Sequence, residues 1–259
     1  MRAGAILVLA AGLFASASAQ PIQLSGTIGT RPVFADLSRT GDTVSGWYFY
    51  MKVGKQLRLE GKLDQNGFFQ LDEHTANTNT RSGSFSGRVK GGHWSGTWRN
   101  AAGKKPVEID LNEVRSTLAG VSGRFKCSAK RRDREYGYTY THSVDLSLMK
   151  GRVKKLSLFR GETSKQGDDQ NCRIGLSDLK QVDAETGILL RAKGDRRADA
   201  QHCTIRIVAA GDYLIVKAGD SSQSGDDCRG TSDTMFCSPR GFWADLIVNR
   251  TTQSCRSVQ

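Results

Sequence analysis

A five-residue unit recurs along the first half of this chain: an apolar residue, Ser, Gly, any residue and a second apolar residue. In an extended strand, the first, third and fifth residues point to the same side of the sheet. The unit therefore places glycine between two large apolar side chains on the buried face, where it permits sharp bending. A helix would be destabilised by an interior glycine in every copy. The copies begin at Leu24, Val44, Phe85, Trp94 and Val121, and Leu59 begins a variant with Glu for Ser.

Turn sequences such as Asn66-Gly67 and Gly91-Gly92 separate segments in which apolar and polar residues alternate. This pattern predicts about eight strands between Ile22 and Leu111, forming a meander-type sandwich or a small barrel. Trp47 to Tyr50 places aromatic side chains on both faces of one strand. The aromatic run favours a strand buried on both sides over an exposed aromatic strip used for binding.

The first 19 residues have the features of a secretory signal peptide. Arg2 precedes a short apolar run, and Ala17-Ser18-Ala19 fits the small-x-small rule for cleavage after Ala19. The apolar run is too short to span a membrane, and the sequence predicts no transmembrane anchor. We therefore expect a periplasmic or secreted protein in an oxidising compartment.

All six cysteines follow residue 120, and none forms a C-x-x-C motif, which argues against a zinc ribbon or a thioredoxin-like site. An even number of cysteines in an exported chain indicates disulfides. Six cysteines allow fifteen pairings. We predict Cys228 with Cys237 across a short loop, Cys127 with Cys255 joining the ends of the domain, and Cys172 with Cys203.

The sequence thus predicts an all-β chain with two antiparallel domains after the signal peptide. Residues 20–118 form the repeat-containing domain, and residues 119–259 form the disulfide-linked domain. In the second domain, Tyr138, Tyr140, His142 and Val144 alternate with polar residues, which indicates the first arm of a hairpin. Leu176, Leu179 and Val182 have helical spacing and predict a short helix. Residues 242–248 are predicted as the last strand.

The positive charge is concentrated at the start of the second domain. The chain has 38 Lys and Arg against 26 Asp and Glu, and residues 124–160 carry +8 of the net +12. Basic clusters beside aromatic residues bind polyanions, because cations contact phosphate or sulfate while rings stack. The candidate residues form two clusters, expected at opposite ends of one hairpin arm. They are Lys130, Arg131, Arg132, Arg134, Tyr136 and Tyr138, and then Lys150, Arg152, Lys154 and Lys155.

The alternative interpretation of this region is a soluble basic surface with its tyrosines in the core, since they share a parity with Val144 and Leu146. Nucleic acid is scarce outside the cytoplasm and is not expected as a partner. Anionic polymers of the cell envelope, including lipopolysaccharide phosphates, or an exported protein are the expected partners.

No catalytic or cofactor motif is present in the sequence. G-x-S-x-G, H-E-x-x-H, Walker and dinucleotide-binding patterns are all absent. His74 and His93 lack partners at metal-ligand spacing, so surface or packing roles are favoured and neither a metal nor a cofactor is predicted. The competing hypothesis is a hydrolase of cell-wall or other polymers that uses His142 or His202 as a base.

The chain resembles small β domains of uncharacterised exported proteins of Gram-negative bacteria. The resemblance implies an exported β protein but no established activity. It covers the segments 47–50, 57–63, 85–87 and 94–98, and a paired-cysteine ending at 227–229 and 237–243. Ser45-Gly46-Trp47-Tyr48 is also similar to the Ser-Gly-Tyr signature of periplasmic lysozyme inhibitors. A cationic patch would repel a cationic lysozyme, so hydrolase inhibition is retained as an alternative to ligand, polyanion or envelope binding.

Overall fold

The computed structural model describes residues 19–76, 80–115, 118–132, 137–164, 170–182, 187–192, 204–218 and 246–258. These residues form antiparallel β-sheets, which confirms the predicted all-β class. The predicted signal peptide lies outside the described residues except for Ala19, so it stays a prediction, as does the domain boundary at residue 118.

The first eight strands form a closed antiparallel barrel, in which each strand pairs with the next and β8 pairs with β1. The structure therefore selects the barrel from the two architectures that the repeats predicted. The strands are β1 (Gln20–Ile28), β2 (Arg31–Thr40), β3 (Thr43–Tyr50), β4 (Gln56–Leu63), β5 (Phe68–Thr75), β6 (Arg81–Lys90), β7 (His93–Asn100) and β8 (Val107–Glu113).

The glycine of the repeat faces the barrel interior at points where the neighbouring strand lies close to it. A Cβ atom added to Gly61 would lie 2.1 Å from the carbonyl oxygen of Gln70 on the next strand. At Gly46 the corresponding distance, to the carbonyl oxygen of Asp36, is 2.3 Å. Any side chain at either position would force the strands apart, and this is why glycine recurs in a tightly curved sheet.

Large apolar side chains fill the barrel. Trp94 and Tyr48 are among its fully buried side chains, and Leu24, Leu59 and Phe69 pack with them. The space that remains is an apolar cavity of about 10 Å³, about the volume that one water molecule needs. The interior is a packed core and has no room for a ligand of several atoms.

The rest of the described chain forms two further antiparallel sheets. The four-stranded sheet has the order β12-β11-β10-β9, and the six-stranded sheet runs from β13 to β18 in sequence order. Their strands are β9 (Gly123–Arg132), β10 (Thr139–Met149), β11 (Arg152–Thr163), β12 (Gln170–Gly175), β13 (Leu179–Val182), β14 (Ile188–Ala192), β15 (Thr204–Ala210), β16 (Tyr213–Ala218), β17 (Leu246–Asn249) and β18 (Cys255–Ser257).

One apolar core lies between these two sheets. Val144, Leu146 and Leu158 of the four-stranded sheet pack with Ile205 and Leu214 of the six-stranded sheet. A disulfide between Cys127 on β9 and Cys255 on β18 joins edge strands of the two sheets, which confirms that predicted pair. Cys203, Cys228, Cys237 and the side chain of Cys172 lie outside the described residues, so the other two pairs stay predictions.

The other face of the six-stranded sheet packs against the outside of the barrel. Phe34 and Phe49 of the barrel are buried there with Val208, Ile215 and Ile247. This contact explains the aromatic run in β3. Because Tyr48 points into the barrel while Phe49 packs on the sheet, the prediction of a strand buried on both sides is confirmed.

Two local predictions in the second half were wrong. The segment predicted as a short helix is a single 3₁₀ turn, Leu176–Asp178, followed by β13. Leu179 pairs with Ala192 of β14, and the neighbouring sheet therefore determines the conformation of a segment whose spacing also fits a helix. The strand predicted at residues 242–248 is not the last one. Its described part is β17 (Leu246–Asn249), and β18 (Cys255–Ser257) follows it; residues 242–245 lie outside the described residues.

Candidate polyanion-binding face

The first predicted basic cluster is divided between the two faces of the four-stranded sheet. Lys130 and Arg132 are exposed, whereas Arg131, which lies between them, points to the inner face with its guanidinium over the ring of Tyr140. Tyr138 is half-buried, and its ring centre lies 6.3 Å from that of Tyr140. Arg134 and Tyr136 lie outside the described residues.

The second predicted cluster lies at the other end of the same sheet. Lys150 occupies the turn between β10 and β11, and Arg152 and Lys154 follow it as exposed residues. β10 spans 11 residues, so roughly 30 Å separates this turn from Arg132 at about 3.3 Å per residue. The two clusters therefore do not form one compact patch.

The structure instead assembles a different set of cations on the outer face of the four-stranded sheet. The strand registers place alternate residues of β9 beside outward residues of β10 and β11, and Arg173 of β12 lies beside Phe159 of β11. We call this set the cationic face. Its basic residues are Arg124, Lys126, Lys130, Arg132, Lys155 and Arg173.

One carboxylate, Asp145, partly neutralises one end of the cationic face. Arg124 donates two hydrogen bonds to it, both of 2.9 Å, and Lys155 donates a third of 2.7 Å. The hydrogen bonds from Arg124 and then Lys155 hold the pKa of Asp145 well below its usual range. Asp145 therefore remains an anion at neutral pH and orients both cations.

The remaining cations of the face have no ion pair with any described residue. Lys126, Lys130 and Arg132 are exposed on alternate positions of β9, so their side chains are available to a ligand. Hydroxyl side chains line the adjacent strand β10 at Thr139, Thr141, Ser143 and Ser147. Cations beside hydroxyl donors match the phosphate or sulfate oxygens of a polyanion.

A half-buried aromatic ring lies within the cationic face. The guanidinium of Arg173 lies over the ring of Phe159, 5.5 Å from its centre. Phe159 pairs in register with Ser143 on one side and with Arg173 on the other. The ring holds the flexible arginine against the sheet, which reduces the conformational entropy that binding would cost.

Sequence reasoning did not assign Arg124, Lys126 and Arg173 to the site. The sequence pattern of β9 could have identified the first two. Phe125 and Ala129 are buried, so the even-numbered residues from 124 to 132 point to the opposite, outer face. Arg173 became a neighbour only through the pairing of β11 with β12, which the sequence does not specify.

The barrel contains a buried carboxylate that the sequence analysis did not single out. Glu73 is only 3% exposed and accepts hydrogen bonds from Tyr48, Ser82 and Trp98. The Ser82 hydroxyl is 2.6 Å away and the Trp98 indole nitrogen 3.0 Å. Burial, reinforced by the negative charge of Glu73, raises the pKa of Tyr48. Each carboxylate oxygen has a protein donor, as expected of a structural buried charge.

The described histidines do not form a catalytic or metal site. His74 and His93 lie on the barrel, 3.2 Å from Glu60 and 3.0 Å from Asp110. His142 shares a hydrogen bond of 3.2 Å with Ser257, and both residues are buried. His202 lies outside the described residues, within which no group of His, Cys, Asp and Glu has the arrangement of a metal site.

Comparison with known proteins found no family model, curated protein or solved structure that matches this chain. Within the described ranges, no helix has the length and apolar character needed to cross a membrane.

Proposed function

We propose that this chain is an exported, non-enzymatic protein that binds an anionic polymer of the cell envelope through the cationic face. The predicted signal peptide supports the proposed location. The observation that carries the proposal is the alternation of β9, which directs Lys126, Lys130 and Arg132 to solvent on the same face. These cations extend along one strand, a geometry suited to a linear polymer.

The dimensions of β9 favour a ligand with several charges. Alternate residues of a strand lie about 7 Å apart, so the cations from Arg124 to Arg132 extend over roughly 25 Å. A single phosphate or carboxylate ion contacts one or two of these groups, whereas a phosphorylated or sulfated polysaccharide contacts most of them. Each contact releases counterions, so the affinity depends strongly on the salt concentration.

The packed barrel points to a surface site in preference to an interior one. Its residual cavity of about 10 Å³ is lined by apolar side chains such as Leu24, Phe85 and Ile109. Eight-stranded barrels that carry small ligands keep a hollow interior. In this chain the barrel therefore acts as a folded support, and the charged sheet provides the binding surface.

The test compares three triple variants for binding to heparin, a sulfated polysaccharide, over a range of NaCl concentrations. The first variant changes Lys126, Lys130 and Arg132 to Gln. We expect its affinity to fall at least tenfold at 0.1 M salt, and the slope of log affinity against log salt to decrease by about two to three.

Two control variants carry the same loss of charge elsewhere. Lys150, Arg152 and Lys154 changed to Gln test the far end of the hairpin, and Lys52, Lys55 and Lys62 changed to Gln test the barrel. We expect the barrel control to stay within about threefold of the wild type, since charges distant from the contact are screened. The hairpin variant lies beside Lys155 at one end of the cationic face, and we expect it to lose less affinity than the first variant. Equal losses in all three variants would show that net charge alone causes binding, and would reject the cationic face.

A further inference from the structure

A second group of charged side chains lies on the inner face of the four-stranded sheet. Arg131, Tyr140 and Glu162 are cross-strand neighbours on β9, β10 and β11. In the next inward row, His142 of β10 pairs with Arg160 of β11. The cluster begins where the apolar core between the two sheets ends, so its charges lie largely out of water.

Both arginines approach the same aromatic ring. The guanidinium carbon of Arg131 lies 4.7 Å from the ring centre of Tyr140, and that of Arg160 lies 5.7 Å from it. Arg160 is 5% exposed and donates a 2.8 Å hydrogen bond to Glu162. Glu162 therefore compensates the charge of Arg160.

Within the part of the chain that the structure describes, Arg131 has no such carboxylate partner. Its Nε atom is buried and has no hydrogen-bond partner in the structure. Among the described inward residues of this sheet, Glu162 is the only acid, whereas two arginines are present. The result is an excess positive charge with a buried donor, and leaving such a donor unsatisfied is costly.

We propose that Arg131, Tyr140 and Arg160 form a binding site for a single phosphate or sulfate group. Such an anion supplies the acceptor that Arg131 Nε lacks and balances the guanidinium charge of Arg131. The planar fork of arginine suits the oxygens of these groups, and the Tyr140 ring holds both forks in place. The site is separate from the cationic face, because Arg131 and Arg132 point to opposite faces of the sheet.

NMR spectroscopy of the full mature chain tests this site, with detection of the arginine Nε–Hε signals. Inorganic phosphate and glucose 1-phosphate are titrated separately, with NaCl adjusted to constant ionic strength. We expect one signal, assigned to Arg131 by its loss in Arg131→Lys, to shift saturably. A shift with phosphate but not with the ester indicates a site for the free ion. Binding of glucose 1-phosphate at least tenfold tighter than that of phosphate indicates a site for a terminal sugar phosphate.

Binding measured by calorimetry gives the matched comparison. Arg131→Lys keeps the charge but removes Nε–H, and we expect it to weaken phosphate or ester binding at least tenfold. Arg132→Lys, the adjacent outward residue, should stay within twofold. The proposal is overturned if neither anion shifts the Arg131 signal in the wild type, or if both variants lose binding equally. Heparin binding through the cationic face does not depend on this result, so the two proposals can fail separately.

Discussion

The barrel and the pair of sheets solve the same structural problem in different ways. Unpaired strand edges expose hydrogen-bonding groups and invite association. The barrel removes its edges by pairing β8 with β1, and its sequence contains no cysteine. Among the described residues the two sheets do not close, and a disulfide connects their edge strands β9 and β18. Hydrogen bonds between strands thus close the barrel, whereas a covalent bond connects the two sheets.

The two regions also treat buried charge differently. The barrel surrounds Glu73 with three side-chain donors, so its buried carboxylate is fully hydrogen-bonded. Among the described residues on the inner face of the four-stranded sheet, two arginines accompany one carboxylate, and the buried Nε of Arg131 has no hydrogen-bond partner. A balanced buried charge supports the fold, whereas an unbalanced one suggests a ligand.

Removing the disulfide should have the largest effect on this comparison. The double variant Cys127→Ala with Cys255→Ala opens a loop of sequence separation 128. Loop-closure entropy then predicts a loss of roughly 4–5 kcal/mol in the free energy of unfolding of the two sheets. Urea denaturation monitored by circular dichroism measures this loss.

Tryptophan fluorescence provides the internal control for the disulfide variant. Trp47, Trp94 and Trp98 all lie in the barrel, so fluorescence reports mainly on that region. We expect the fluorescence-monitored transition to shift less than the transition seen by circular dichroism. If both shift equally, the apolar contact of Phe34 and Phe49 with the six-stranded sheet makes the regions unfold as one unit, and the comparison fails.

Replacing the buried carboxylate of the barrel should cause the next largest loss in the free energy of unfolding. Glu73→Ala leaves the side-chain donors of Tyr48, Ser82 and Trp98 without their acceptor, and we expect a loss of about 3 kcal/mol in the free energy of unfolding. Glu73→Gln keeps one acceptor oxygen and should cost less. Urea denaturation followed by tryptophan fluorescence measures both variants.

Glu60→Ala is the matched surface control for Glu73. Glu60 is exposed, ion-pairs with Arg58 at 3.3 Å and lies 3.2 Å from the His74 ring. Exposed ion pairs contribute less than about 1 kcal/mol. A loss for Glu73→Ala no larger than that for Glu60→Ala would mean that the buried network does not stabilise the barrel.

The repeat made the strands of the barrel predictable, because each copy determines its own local conformation. Closure was not predictable in the same way. Pairing β8 with β1 joins residues such as Leu24 and Glu113, which are distant in sequence, and no local pattern distinguishes that pairing from a sandwich. The 3₁₀ turn at Leu176–Asp178 was missed for a similar reason, since the pairing of β13 with β14 determines the conformation next to it.

The functional residues were harder to predict, because a run of consecutive basic residues shows no alternation between apolar and polar positions. In Lys130-Arg131-Arg132 every side chain is basic, so only the parity of Phe125 and Ala129 earlier in the strand shows that Arg131 points inward. Glu73 shares a parity with Phe69 and Leu71, and its burial could have been read from that strand. Carrying the parity of an apolar strand into its charged end would have found both residues.

Replacing Asp145 should have the smallest effect on the free energy of unfolding. It tests the exposed ion pairs of the four-stranded sheet. Hydrogen bonds from Arg124 and Lys155 lower the pKa of Asp145 in the folded state, so the folded chain binds this proton less readily than the unfolded chain. The resulting stability is present above the unfolded pKa of about 4 and is lost as the pH falls below it. The wild type should therefore lose more stability between pH 7 and pH 2.5 than Asp145→Asn, as measured by urea midpoints. Asp42→Asn removes an exposed carboxylate that lies 3.9 Å from Arg39 and serves as the surface control. An equal pH dependence of the wild type and Asp145→Asn would show that the Asp145 pairs do not contribute to stability.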